Sequence, residues 1–75
     1  MPRIPALSAR KIVKALKKAG FREDRQKGSH LILIHPETNT RTVIPIHTGK
    51  TLKRSLIHAI IRDTRLPIEK FLKLL

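Results

Sequence analysis

Apolar residues recur at Ala9, Ile12, Val13, Leu16 and Ala19, a spacing of i, i+3, i+4, i+7 and i+10 that lines one face of a helix. Ser8 stands where an N-cap oxygen is wanted, and Arg10, Lys11, Lys14, Lys17 and Lys18 fill the opposite face. Gly20 followed by Phe21 fits a left-handed C-terminal cap with an apolar contact folded back on the last turn. The pattern then changes period. Residues 21–26 are charged and of weak strand propensity, and Lys27-Gly28 supplies a turn. Residues 29–35 hold four consecutive aliphatics, Leu31, Ile32, Leu33 and Ile34, and end at Pro36, which has no amide to give to a sheet. Pro36-Glu37-Thr38-Asn39 reads as a loop. Residues 41–46 alternate Thr42, Ile44 and Ile46 against Arg41, Val43 and Pro45, with Pro45 marking an edge strand or a strand end.

A basic loop follows, His47-Thr48-Gly49-Lys50, and Thr51 or Ser55 is the expected cap of a second helix. That helix carries a stripe of Leu52, Leu56, Ala59 and Ile60, widened by Ile57 and Ile61. Pro67 opens a short closing helix with Ile68, Phe71, Leu72 and Leu75 as its apolar side. The order is α-β-β-β-α plus a C-terminal turn or two, an α+β fold with a three-stranded antiparallel sheet in one domain over residues 1–75. Side chains in a strand alternate between the two faces of the sheet, and two helices of this size cover one face. Either Leu31 and Leu33 or Ile32 and Ile34 are then left partly exposed, as a surface for a partner unless the closing helix or self-association covers them.

Composition points to the kind of partner. The chain has 75 residues with 17 Lys and Arg against 5 Asp and Glu, a formal charge of +12 that favours a polyanion, nucleic acid first. At 40% hydrophobic residues it has the material for a core, unlike a disordered basic tail. The first 22 residues hold seven bases and no acid, like an organelle transit peptide, but removing them would delete the first helix. A cytoplasmic location is therefore expected, and no apolar run is long enough to span a membrane. There is no cysteine, hence no disulfide and no thiolate metal site. The histidines His30, His35, His47 and His58 are spaced by five, twelve and eleven, which matches no zinc signature, so no metal or other cofactor is expected. Glycine-rich phosphate loops and a nucleophile elbow are absent as well.

One stretch carries candidate chemistry, Lys27-Gly28-Ser29-His30. The turn places His30 at the start of a strand, held by the sheet yet facing solvent beside a basic surface. RNA brings its own nucleophile, the 2′-hydroxyl, so an enzyme has only to move protons and stabilise phosphate charge, work suited to nearby cations and to histidine as a residue type, whose unperturbed pKa of about 6.5 lies close to working pH. From spacing alone, a lone histidine at a strand start is more often a structural or incidental residue. Lys27 is placed to stabilise phosphate charge. Lys50, Lys53 and Arg54 crowd the start of the second helix, where cations oppose the helix dipole unless an anion binds. His47, at the end of the third strand, is the candidate for a second proton carrier, whereas His35 lies at the far end of its strand from His30 and His58 faces solvent in mid-helix. With no Tyr or Trp, and with Phe21 and Phe71 reading as core, base stacking on aromatics gives way to backbone, shape and arginine.

The run Lys27-Gly28-Ser29-His30, an aliphatic strand, Val43-Ile44-Pro45-Ile46-His47, a basic loop, and a helix leading to Ile68-Glu69-Lys70-Phe71-Leu72 resembles the HicA family of small toxins, as does Gly20-Phe21 at the end of the first helix. The likeness extends over nearly all of the chain. It departs where Leu31 and Ile32 follow the histidine and where Thr64-Arg65 stands in place of the family's Ala-Gly. The resemblance implies a fold like the double-stranded RNA-binding domain, metal-independent cleavage of mRNA on or off the ribosome, and a HicB-like antitoxin as partner, expected to cover the active surface and the sheet face. It places His30 on the catalytic histidine and Gly28 and Ser29 on the residues that present it. The alternatives are a non-catalytic module that binds double-stranded RNA or other nucleic acid with the same fold, and a ribosome-associated structural protein.

Overall fold

The structure is a computed structural model that describes residues 3–47 and 49–75; Thr48, expected in the basic loop, lies outside the described residues. Helix α1 (Ala9–Lys18) begins with the Ser8 hydroxyl accepting a hydrogen bond from the Lys11 amide at 3.3 Å. It ends in a Schellman motif: the Gly20 amide donates to the Lys17 carbonyl and the Phe21 amide to the Leu16 carbonyl, with Gly20 at φ +104°. Both the start and the stop expected from Ser8 and Gly20 are therefore present.

Three strands follow, β1 (Arg22–Lys27), β2 (His30–Ile34) and β3 (Arg41–Pro45), in an antiparallel meander of order β1-β2-β3. The hairpin between β2 and β3 is closed by His35, whose amide donates to the Thr40 carbonyl and whose carbonyl accepts from Asn39. Helix α2 (Arg54–Thr64) and the short α3 (Ile68–Lys73) complete the α-β-β-β-α order with its closing helix.

One face of the sheet is buried. Leu33, Ile44 and Thr42, with Leu31 beside them, pack against Ile12 and Leu16 of α1, Ile57 and Ile60 of α2 and Phe71 of α3, all at 5% exposure or less. Thr42 is satisfied there by donating to the Asp63 carboxylate of α2 at 3.3 Å. All three helices contribute to this single core, and the molecule is only 17 Å across its thinnest axis, the depth of one sheet layer and one helix layer. The other face stays open, with Ile32 and Ile34 half-buried and Val43 43% exposed. Of the two alternatives for the aliphatic strand, it is Ile32 and Ile34 that face outward, and α3 packs on the opposite side.

Two details differ from the expected pattern. The segment ahead of α1 belongs to the core, with Ile4 and Leu7 buried, and it is tied to the approach to α2 by a Ser8–Thr51 bridge and by the Leu52 amide donating a hydrogen bond to the Leu7 carbonyl at 2.8 Å. That pairing holds residues 51 and 52 extended, so the N-cap of α2 is Lys53 rather than Thr51 or Ser55. In α2 the buried line is Ile57, Ile60, Ile61 and Thr64, while Leu56 and Ala59 lie at its margin.

Candidate active site

His30 owes its position to a two-residue hairpin. Lys27 and His30 are the closing pair, and between them Gly28 takes φ +57° at the first turn position, the geometry of a type II′ turn that a residue with a Cβ adopts only under strain. The turn is held on both sides: the Gln26 side-chain amide donates to the Gly28 carbonyl at 3.0 Å, and the Ile46 amide donates to the Ser29 carbonyl at 2.6 Å. His30 therefore has a fixed backbone and an exposed side chain. Among the described residues no other side chain hydrogen-bonds its imidazole, so both ring nitrogens are open to a substrate.

Directly opposed residues in an antiparallel sheet share a face. The open face is accordingly built of three cross-strand rows: Lys27, His30 and Pro45; Arg25, Ile32 and Val43; Arg22, Ile34 and Arg41. A register shift between Glu23 and Arg25 sets Asp24 in a bulge, a device that re-aims side chains next to functional sites. The Asp24 carboxylate lies 3.4 Å from Arg25 Nε and 4.0 Å from Arg41 Nη2, which partly neutralises the two arginines at that end of the face. Lys27 stands apart from this group, beside His30.

The topology gathers the remaining cations at the His30 end. Helix α1 runs antiparallel to β1 through the tight Gly20 turn, and β3 ends beside His30, so the start of α1, the β1–β2 turn, the end of β3 and the start of α2 all lie at one end of the sheet. The Ser8–Thr51 bridge and the bond from Lys50 to the His47 carbonyl tie these pieces together. Lys50, Lys53 and Arg54 are exposed there, and the first turn of α2 has neither an acidic residue nor a side-chain cap. Its free amides and three cations suit a phosphate. His47 is placed differently. It lines a recess with Arg10, Val13, Leu31 and Ile46, on the helix side of the sheet, while His30 points from the other side.

His35 has a role that its spacing did not signal. Its Nδ1 accepts from the Glu37 and Thr38 amides at 3.2 and 3.4 Å, which leaves Nε2 as the donor to the Ala19 carbonyl at the end of α1, 3.2 Å away. Its ring also meets Phe21 edge-on at 5.2 Å. It is a structural histidine that clamps the β2–β3 loop to α1. His58 is exposed on α2. Among the described residues no three His, Asp or Glu side chains gather into a metal site, and no helix is long and apolar enough to cross a membrane.

A search of curated proteins gives no match. A family model described as the HicA toxin of bacterial toxin-antitoxin systems matches residues 9–66, from the first residue of α1 to just past the end of α2, and so takes in His30, its turn and the cationic approach to α2. The chain belongs to the HicA toxin family, and its role is that of a toxin held in check by an antitoxin partner.

Proposed function

We propose that this toxin is an mRNA endoribonuclease that needs no metal and uses His30 as its proton-transfer group. The observation that carries the reading is an exposed imidazole on a rigid hairpin, with Lys27 opposite it, at the end of the molecule where Lys50, Lys53 and Arg54 converge. In the step proposed, His30 takes the proton of a ribose 2′-hydroxyl as that oxygen bonds to the adjacent phosphorus, and the bond from phosphorus to the 5′ oxygen breaks. The leaving oxygen takes a proton from water, leaving a 2′,3′-cyclic phosphate on one fragment and a 5′-hydroxyl on the other. Water is favoured over His47 as the second carrier because His47 lines the recess on the helix side. Lys27 supports the charge of the phosphorane, and Lys50, Lys53, Arg54 and the free amides of α2 hold flanking phosphates.

The antitoxin in this reading is HicB-like and covers His30 together with the open face. Half-buried Ile32 and Ile34 and exposed Val43, bordered by Arg22, Arg25 and Arg41, suit an acidic partner with an apolar centre. The same surface also permits weak self-association of the free toxin. A cytoplasmic location, in reach of mRNA, belongs to the same proposal, as does action by the chain as one domain.

The test is incubation of a long mRNA with the protein in EDTA, comparing wild type with His30→Ala. Cleavage by wild type, lost in the variant while RNA affinity is kept, is expected. Binding without cleavage by wild type, with or without ribosomes, would instead favour a non-catalytic nucleic-acid-binding module, and co-purification with ribosomal particles would favour a ribosome-associated one.

A further inference from the structure

A ribonuclease built this way needs somewhere to seat a base, and the usual platforms are missing. The chain has no Tyr or Trp, and Phe21 and Phe71 are 3% and 0% exposed. Two partly apolar surfaces adjoin His30 and could take a flat, weakly polar base, the open sheet face and the recess beside His47. On the open face Asp24 stands within 4.0 Å of Arg25 and Arg41 and opposes a polyanion. Among the described residues the recess carries no acid. It measures about 480 Å³, with Val13, Leu31 and Ile46 among its apolar walls and Arg10 and His47 on its lining. Lys50 follows on the loop that bounds it. Gly49, exposed, also lines it.

The recess is also next to the reacting group. Leu31 follows His30 in β2, and the Ile46 amide is bonded to the Ser29 carbonyl, so the walls of the recess and the His30 backbone are one hydrogen-bonded unit. Successive strand residues point to opposite faces, and β3 is the edge strand of the sheet. An RNA strand passing His30 reaches the recess by turning around the end of β3.

We infer that the recess formed by Arg10, Val13, Leu31, Ile46, His47 and Gly49 seats the base of the nucleotide next to the cleaved phosphodiester, with the Arg10 guanidinium stacked on its face. The aliphatic walls accept the other face, arginine stacking replaces an aromatic platform, and the surrounding cations suit the attached phosphate. The recess thereby sets base preference at the cut. This inference rests on the RNA-cleaving reading above.

The test measures binding by the His30→Ala protein, which separates recognition from cutting, to four oligoribonucleotides that differ in one base. Fluorescence anisotropy is expected to show affinities that spread by about tenfold, the worth of one well-seated base. Adding Val13→Phe, which fills the recess, or Arg10→Ala, at an exposed position, is expected to shrink the spread to about twofold or less, and mapped cleavage sites of the corresponding single variants lose their preference in step. If Val13→Phe fails to fold, Arg10→Ala decides the matter. Equal affinities for all four RNAs, or a spread that survives both substitutions, overturn the inference and leave the recess to a side chain of a protein partner. A spread that depends on the recess in a wild-type protein that cuts nothing upholds the recess and overturns the nuclease reading.

Discussion

Glycine at position 20 is required twice over, at position 28 only once. Gly20 has φ +104°, and a Cβ there would stand 2.7 Å from His35 Nε2, so Gly20→Ala must both strain the backbone and displace the ring that caps α1. We expect Gly20→Ala to cost about 2–3 kcal/mol, summing left-handed strain and a lost hydrogen bond, as read by urea denaturation. Gly28 has φ +57° but open space around it, so Gly28→Ala should cost only about 1 kcal/mol while lowering cleavage more than stability, because it tilts the turn that presents His30. Equal effects of the two substitutions on stability would refute this division. His35→Ala removes an Nδ1 that serves two amides and an Nε2 that serves the Ala19 carbonyl, and should cost about 1–2 kcal/mol. Nothing in the order of residues announced that clamp, since its two ends are brought together only by the fold.

Elements were legible where their period was strong. The first helix, with its Ser8 start and Gly20 stop, and the two aliphatic strands follow from local chemistry alone. Strand β1 gave only a weak signal because every one of its residues is exposed, so no face of it alternates. The segment holding Ile4 and Leu7 has no period, and its burial comes from pairing with the approach to α2, the same pairing that moves the helix start to Lys53. His30 and Lys27 were readable because a turn fixes them locally; the recess was not, because its walls come from α1, β2 and the end of β3. The end of α2 offers a prediction at this scale. Arg65 takes φ +62° where the family resemblance sets a glycine, and Arg65→Gly should stabilise the protein by about 0.5–1 kcal/mol. For a domain of this size that is a rise of about 2–8 °C in Tm, and an unchanged or lower Tm would show that the arginine side chain outweighs the strain.

Charge governs the behaviour of the whole molecule. A chain of 75 residues at +12 repels itself, and an acidic antitoxin or RNA relieves that repulsion while stabilising the fold by mass action. If Lys27, Lys50, Lys53 and Arg54 each neutralise one phosphate, log affinity for single-stranded RNA should fall against log salt with a slope of about −3. Replacing Lys53 and Arg54 by alanine should flatten that slope by about 1.4, measured by titration at several salt concentrations. A slope unmoved by the double replacement would remove the start of α2 from the RNA path.

In the proposed reaction His30 moves a proton for the RNA's own 2′-hydroxyl. Its most direct test is cleavage, in EDTA, of an oligoribonucleotide and of the same molecule with one 2′-deoxy sugar at the cut site, by wild type and by His30→Ala. Wild type is expected to cut the all-ribose strand to a 2′,3′-cyclic phosphate and to leave the deoxy strand whole, and His30→Ala to cut neither. Cleavage of the deoxy strand, or of the ribose strand by His30→Ala, would overturn the role given to His30.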